Sequence, residues 1–141
     1  MIDILRIATR TSALALWQAN YIAKAITSIH KNIKVELVEI VTKGDKWLDG
    51  PLHEIGGKGL FIKELEQALL EGRADIAVHS VKDIPAIIPD GFCLPILGFR
   101  ESYLDMLVGC ESLESLPEFA VVGSSSLRRK IQLLAIRPDL N

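Results

Sequence analysis

Three short clusters carry the side chains best suited to chemistry: Arg10-Thr11-Ser12, His79-Ser80-Val81-Lys82-Asp83 and Ser124-Ser125-Ser126-Leu127-Arg128-Arg129. Asp83 follows an apolar run (Ile76, Ala77, Val78), where a carboxylate can stabilise a developing cation and transfer a proton. Beside Lys82 it also fits a solvated ion pair worth ~0–1 kcal/mol. A guanidinium at Arg10, next to the hydroxyl of Ser12, can clasp a carboxylate through two parallel hydrogen bonds. Taken alone, the Arg-x-Ser pattern better describes a surface arginine beside a capping serine. The third cluster leads from Val121-Val122-Gly123 into a helix start, whose unpaired backbone N–H groups favour an anion and whose serines can cap the helix while adding hydroxyl donors. Arg128 and Arg129 oppose the positive end of that helix dipole, which makes sense if a bound anion compensates them; a solvated basic turn is the alternative.

Other polar groups carry less. His79 reads as a hydrogen-bonded histidine at a strand end, and His30 and His53 form no ligand spacing with it, so no metal site is expected. Gly56-Gly57-Lys58-Gly59 lacks the spacing of a phosphate loop, and Leu60 stands where a hydroxyl residue is required. A hinge for a lid carrying Lys58 is the functional reading of that segment.

These groups need a frame, and the apolar spacing predicts one. Leu5 to Thr9 reads as a strand, and Ser12 as the cap of a helix reaching about Ile29, with Leu14, Trp17, Tyr21, Ile22, Ile26 and Ile29 at helical spacing and Trp17 in the core. Lys34 to Val41 alternates as a second strand, completing a β-α-β unit whose crossover should be right-handed. Turn formers from Thr42 to Gly59 predict a long mobile loop, in which Trp47 could cover a ligand. Helical periodicity returns from Leu60 to Leu69 and stops at Gly72, before a strand from Asp75 to Val78. Ile84-Pro85 demands an extended turn, since the residue before proline avoids the helical region. Beyond it the pattern predicts strands at Phe92–Leu97, Met106–Gly109 and Ala120–Gly123, a small helix near Ser112–Leu116, and a helix from Ser125 to about Arg137.

An apolar strand that ends in charged groups is how open α/β sheets present ligands, outside the carboxyl ends of their strands. The fold class is therefore α/β. Residues 1–98 are expected to form a first domain holding Asp83, and residues 99–141 the start of a second, incomplete one. With 141 residues, 49% hydrophobic, 24% charged and a net charge of −2, the composition is that of an ordinary globular chain and argues against bulk binding to nucleic acid. No uncharged apolar run approaches the ~20 residues that span a bilayer. Asp3 and Arg6 interrupt any signal-peptide layout, so a cytoplasmic, non-membrane protein is expected. Cys93 and Cys110 form no C-x-x-C pair and lie in apolar sequence, which reads as reduced structural thiols.

Taken together, Leu5-Arg-Ile-Ala-Thr-Arg-Thr-Ser12, Gly56-Gly-Lys-Gly-Leu-Phe-Ile-Lys-Glu64, Arg73-Ala-Asp-Ile-Ala-Val-His-Ser-Val-Lys-Asp-Ile-Pro85 and Gly123-Ser-Ser-Ser-Leu-Arg-Arg129 resemble the porphobilinogen deaminase (hydroxymethylbilane synthase) family. The resemblance implies a lobe like those of type II periplasmic binding proteins, with a mixed, mostly parallel sheet, followed by an incomplete second lobe of the same kind. It implies a transferase of haem and tetrapyrrole biosynthesis that joins four porphobilinogen units head to tail with loss of ammonia, through an electrophilic azafulvene attacked by the free pyrrole carbon of the growing chain. Reaction is primed by a dipyrromethane cofactor on a cysteine. By the same resemblance Asp83 is the catalytic aspartate, and Arg10, Ser12, Lys58, Ser80, Lys82, Ser124, Ser126, Arg128 and Arg129 hold the carboxylates of substrate or cofactor. Ser124 replaces the family's usual threonine and keeps the hydroxyl; Glu54 stands where some members carry lysine.

Neither Cys93 nor Cys110 matches the cofactor cysteine, which the resemblance places in a third domain absent from this sequence. The chain is accordingly expected to be an N-terminal fragment without turnover of its own, prone to self-association through apolar surface near Val121, Val122 and Leu133, whereas a full-length relative would be monomeric. The alternative from another class is a non-enzymatic small-anion-binding module of the same two-lobed fold.

Overall fold

The computed structural model describes residues 3–46, 59–98 and 100–141. They divide into two compact units, one reaching Pro95 and one comprising Ile96–Asn141.

The first unit is built around strand β1 (Ile4–Arg10), whose Ile7, Ala8 and Thr9 are fully buried. Strand β2 (Lys34–Ile40) and the two-residue strand β3 (Ile76–Ala77) flank it, giving the order β2-β1-β3. Both pairings are parallel, with Arg10 opposite Ile40 and Ala8 opposite Ala77, so all three strands point their carboxyl ends the same way. Among the described residues the sheet is wholly parallel, not mixed as expected. Each connection carries a helix across the sheet, which is what parallel neighbours require.

Helix α1 (Ala13–Ile29) is capped by Ser12, whose hydroxyl accepts from the Ala15 N–H at 3.4 Å. Its buried positions are the small Ala15 and Ala19, while Trp17 is 62% exposed and stacks on Tyr21 with ring centroids 5.6 Å apart. This corrects the placement of Trp17 in the core. Where apolar residues lie all round most of the helix, periodicity does not choose the buried face, and alanines win because they let the helix lie close to the sheet. The buried Thr9 hydroxyl then finds the Ala15 carbonyl at 3.2 Å.

Lys43–Lys46 forms a one-turn helix, α2, where a loop was expected. Thr42 and Asp45 cap it reciprocally: Asp45 N–H donates to Thr42 Oγ1 at 3.2 Å, and Thr42 N–H to Asp45 Oδ2 at 3.2 Å. The loop expected to follow, with Trp47, His53, Glu54 and Lys58, lies outside the described residues. Helix α3 (Lys63–Leu70) ends where Gly72 turns the chain at a φ of +68°, a value that disfavours any residue with a Cβ. Its Leu65 is fully buried against Ala8 and Ala74, with Val38, Ile40, Leu69 and Ala77 packed around them. Arg6 secures the approach to β3: its Nε and Nη2 hold the two oxygens of Asp75 at 3.1 and 2.7 Å, and its Nη1 donates to the Gly72 carbonyl at 2.6 Å.

The second unit departs most from expectation. Phe92–Leu97, which runs across the division between the units, and Met106–Gly109 are not strands: neither has a ladder partner among the described residues, and Ile96, Leu97, Met106 and Val108 are exposed. An apolar run becomes a strand only where a neighbour takes its backbone groups. Ser112 and Ser115 exchange side-chain to backbone bonds at 3.2 Å in both directions, stabilising a turn in competition with the expected helix. Near Ala120–Gly123 the pairing is limited to Val122 N–H to Asn141 O at 2.8 Å and Asn141 N–H to Ala120 O at 3.0 Å, too short for a strand. Helix α4 (Leu127–Ile136) forms as expected, capped by Ser126. Cys93 is exposed and Cys110 half-buried, both as free thiols, so Cys93 is not a core residue. Among the described residues no helix is long and apolar enough to cross a membrane.

Arg137 ties the C-terminal turn together, donating to the Leu113 carbonyl at 2.9 Å and to Asp139 Oδ2 at 2.7 Å. That hydrogen bond pulls the Asp139 carboxyl from its ordinary 3.8 down to about 2. A carboxyl depressed by folding stabilises the fold above its unfolded value and loses that contribution as pH falls through the folded one. Asp139 should therefore support this unit above about pH 4 and cease to do so near pH 2. Acid unfolding of Asp139→Asn, compared with the parent by circular dichroism, should lack this part of the pH dependence; identical curves would show that the pair adds nothing.

Candidate functional site

The carboxyl edge of the sheet gathers Arg10 from the end of β1, Asp45 from α2 and Asp83 from the segment after β3. Val81–Asp83 forms one 3-10 turn, closed by Asp83 N–H to Ser80 O at 2.9 Å and Ile84 N–H to Val81 O at 3.0 Å. Ile84 leaves it extended, as Pro85 requires. The Asp83 side chain is 20% exposed and its Oδ2 lies 3.9 Å from Arg10 Nη1, near enough for attraction and too far for a hydrogen bond.

Arg10 does clasp a carboxylate, but one of its own chain. Its Nε lies 3.1 and 3.2 Å from the two oxygens of Asp45, and its Nη2 also donates to Asp45 Oδ1. Thr42 Oγ1 donates to Asp45 Oδ2 at 2.8 Å, fixing the acceptor from behind. Burial alone would raise the Asp45 carboxyl; the bonds from Arg10 and Thr42 outweigh it and hold the group below the usual carboxylate range. Phe61 covers one face of the guanidinium, with the Arg10 Cζ 4.0 Å from the ring centre. The ring also packs on α2 at Gly44, where any Cβ would overlap it.

Other expected site residues are engaged nearby. Ser80 Oγ lies 3.1 Å from Nε2 and 3.2 Å from Oε1 of Gln18 on α1, and Ser12 serves as the α1 cap. Lys82 is exposed, and Lys58 lies outside the described residues. His79 makes no side-chain hydrogen bond among the described residues, contrary to expectation; burial lowers it below its ordinary value, against the opposing pull of Asp83. No cluster of metal ligands occurs among the described residues.

In the second unit Ser124 Oγ accepts from Ser126 N–H at 3.2 Å and Ser126 Oγ from Arg129 N–H at 3.4 Å, so both hydroxyls satisfy the start of α4. Asp105 balances Arg129 through contacts of 2.8 Å to Nε and 2.7 Å to Nη2, and the hydrogen bond from Arg129 lowers its carboxyl. Arg128 is exposed.

Asp45, Phe61 and Gln18 are the site residues that sequence reasoning passed over. A signal existed for the first: Thr42-Lys-Gly-Asp45 has capping-box spacing, which would have placed Asp45 at a helix start next to β2. Nothing in the sequence pairs Phe61 with Arg10 or Gln18 with Ser80, contacts made across 51 and 62 positions. A family model described as porphobilinogen deaminase, dipyromethane cofactor binding domain, matches residues 5–141.

Proposed function

The chain belongs to the porphobilinogen deaminase family, and from that membership we propose that it serves the head-to-tail condensation of four porphobilinogen molecules into hydroxymethylbilane. In each round the C–N bond of a substrate aminomethyl group breaks and ammonia leaves with the electron pair. A C–C bond then forms to the free α-carbon of the growing chain, whose proton is lost. The pyrrole carries positive charge between these events, so the reaction needs a carboxylate that is not neutralised by its own neighbours.

Asp83 is the observation that carries the reading. It stands at the carboxyl edge of the sheet, mostly shielded from water, and among the described residues the cation that reaches it, Arg10, lies 3.9 Å away and is committed elsewhere. There it would stabilise the cationic pyrrole and move a proton. Carboxylates on the substrate would be held by Arg10, Ser12, Lys58, Ser80 and Lys82, and by Ser124, Ser126, Arg128 and Arg129 of the second unit. The same donors suit a dipyrromethane, since Arg10 Nη1 makes no hydrogen bond among the described residues and Lys82 is exposed. When bound, dipyrromethane supplies the pyrrole end to which substrate units are added. The two units would correspond to the lobes of the type II binding-protein fold.

The test is to mix porphobilinogen with a full-length form of the protein that carries dipyrromethane and to follow ammonia and linear tetrapyrrole together. Stoichiometric release of both supports the reading. Saturable binding without ammonia, unaffected by loss of Asp83, would instead identify a small-anion-binding module.

A further inference from the structure

A guanidinium offers five N–H donors, and the edge it turns to each acceptor decides what else it can bind. Asp45 takes the Nε and Nη2 side of Arg10, which leaves Nη1 facing Asp83 at 3.9 Å. Asp45 is held by Thr42, which is itself fully buried; Phe61 lies against the guanidinium face; and Gly44 N–H, bonded to the Leu60 carbonyl at 3.1 Å, locks α2 to the segment that carries Phe61. Arg10 and Asp83 could form a closed bidentate pair if the guanidinium were free to turn, and such a pair would neutralise both.

We infer that Asp45 is a positioning residue that holds the Arg10 guanidinium apart from Asp83, so that an anionic and a cationic group of one ligand find separate partners there. One guanidinium between two carboxylates leaves the cluster with a surplus negative charge, which favours a ligand bearing a cation beside its carboxylates. Porphobilinogen has both, as an aminomethyl ammonium and two carboxylates. The inference rests on the proposed roles of Arg10 and Asp83, and it assigns to Asp45 the task of keeping them available.

The experiment is a double-mutant cycle in porphobilinogen affinity, measured by calorimetry on the full 141-residue chain with Asp45→Asn, Arg10→Gln and both together. Asp45→Asn should weaken binding about tenfold or more, the size of a lost charge-assisted hydrogen bond. In the Arg10→Gln background the same substitution should change affinity less than about twofold, because Asp45 acts through Arg10. A crystal structure of Asp45→Asn should show Arg10 turned onto Asp83 at hydrogen-bonding distance. Thr42→Val, which keeps the Asp45 charge but removes the hydroxyl that orients it, should give a smaller loss of the same kind. Equal losses in both backgrounds would mean that Asp45 only caps α2 and would overturn the inference while leaving the proposed function intact. Tighter binding by Asp45→Asn would make Asp45 a competitor and overturn it as well. Undiminished affinity in Arg10→Gln, or no binding by the parent chain, would overturn the role of Arg10 and the inference together.

Discussion

Replacing Asp83 with asparagine should slow porphobilinogen consumption at least a hundredfold in a full-length form of the protein that carries dipyrromethane, because an amide can neither balance a developing cation nor accept its proton. The loss should fall on kcat, with KM moving much less, since the substrate carboxylates are assigned to other residues. The fold should not suffer. Asp83 makes no side-chain hydrogen bond among the described residues, and its turn is closed through backbone groups, Asp83 N–H to Ser80 O at 2.9 Å. Equal thermal midpoints with a hundredfold rate difference would therefore isolate chemistry from stability. A variant that retained more than a tenth of the parent rate would remove Asp83 from the reaction.

The largest effect on stability is expected at Leu65. Its side chain is fully buried where α3 meets the sheet, touching Ala8 of β1 and Ala74 and surrounded by Val38, Ile40, Leu69 and Ala77. Residues from all three strands thus converge on one leucine. Leu65→Ala should cost about 2–5 kcal/mol, the transfer of the lost methyl groups plus the cavity left behind. Urea unfolding of the chain should show the midpoint falling with the slope unchanged. A loss below about 1 kcal/mol would mean that the small residues around it collapse into the space. Since α3 carries neither Arg10 nor Asp83, porphobilinogen affinity per folded molecule should survive this change better than the stability does.

Much of the first unit was legible in the sequence because its signals are local. Ser12 before an apolar helix, Gly72 after one, and Ile76-Ala77-Val78 ending in charge each name their own structure, and the observed elements follow them. The second unit was less legible for the converse reason. Met106–Gly109 has the composition of a strand, yet a strand is a relation between two segments, and no described neighbour pairs with it. Ser112 and Ser115 were read through their apolar neighbours, while their hydroxyls bonded the backbone and made a turn. At the site, Arg10 and Asp83 could be singled out one at a time by residue type and setting. Asp45 could not, because its importance lies in the direction of its carboxylate toward a residue 35 positions away.

The strand order divides the site into a stiff half and a yielding half. β1 is paired along its whole length with β2 and, at Ile7 and Ala8, also with β3, so its amides should be the slowest in the unit to exchange with deuterium. Arg10, as its last residue, inherits that rigidity. Asp83 hangs from a strand of two residues through a single 3-10 turn, and its amides should open at far lower energy. If Arg10 and Asp83 hold the growing chain as proposed, the carboxylate would adjust to its lengthening, while the guanidinium would serve as the fixed reference against which each addition is registered.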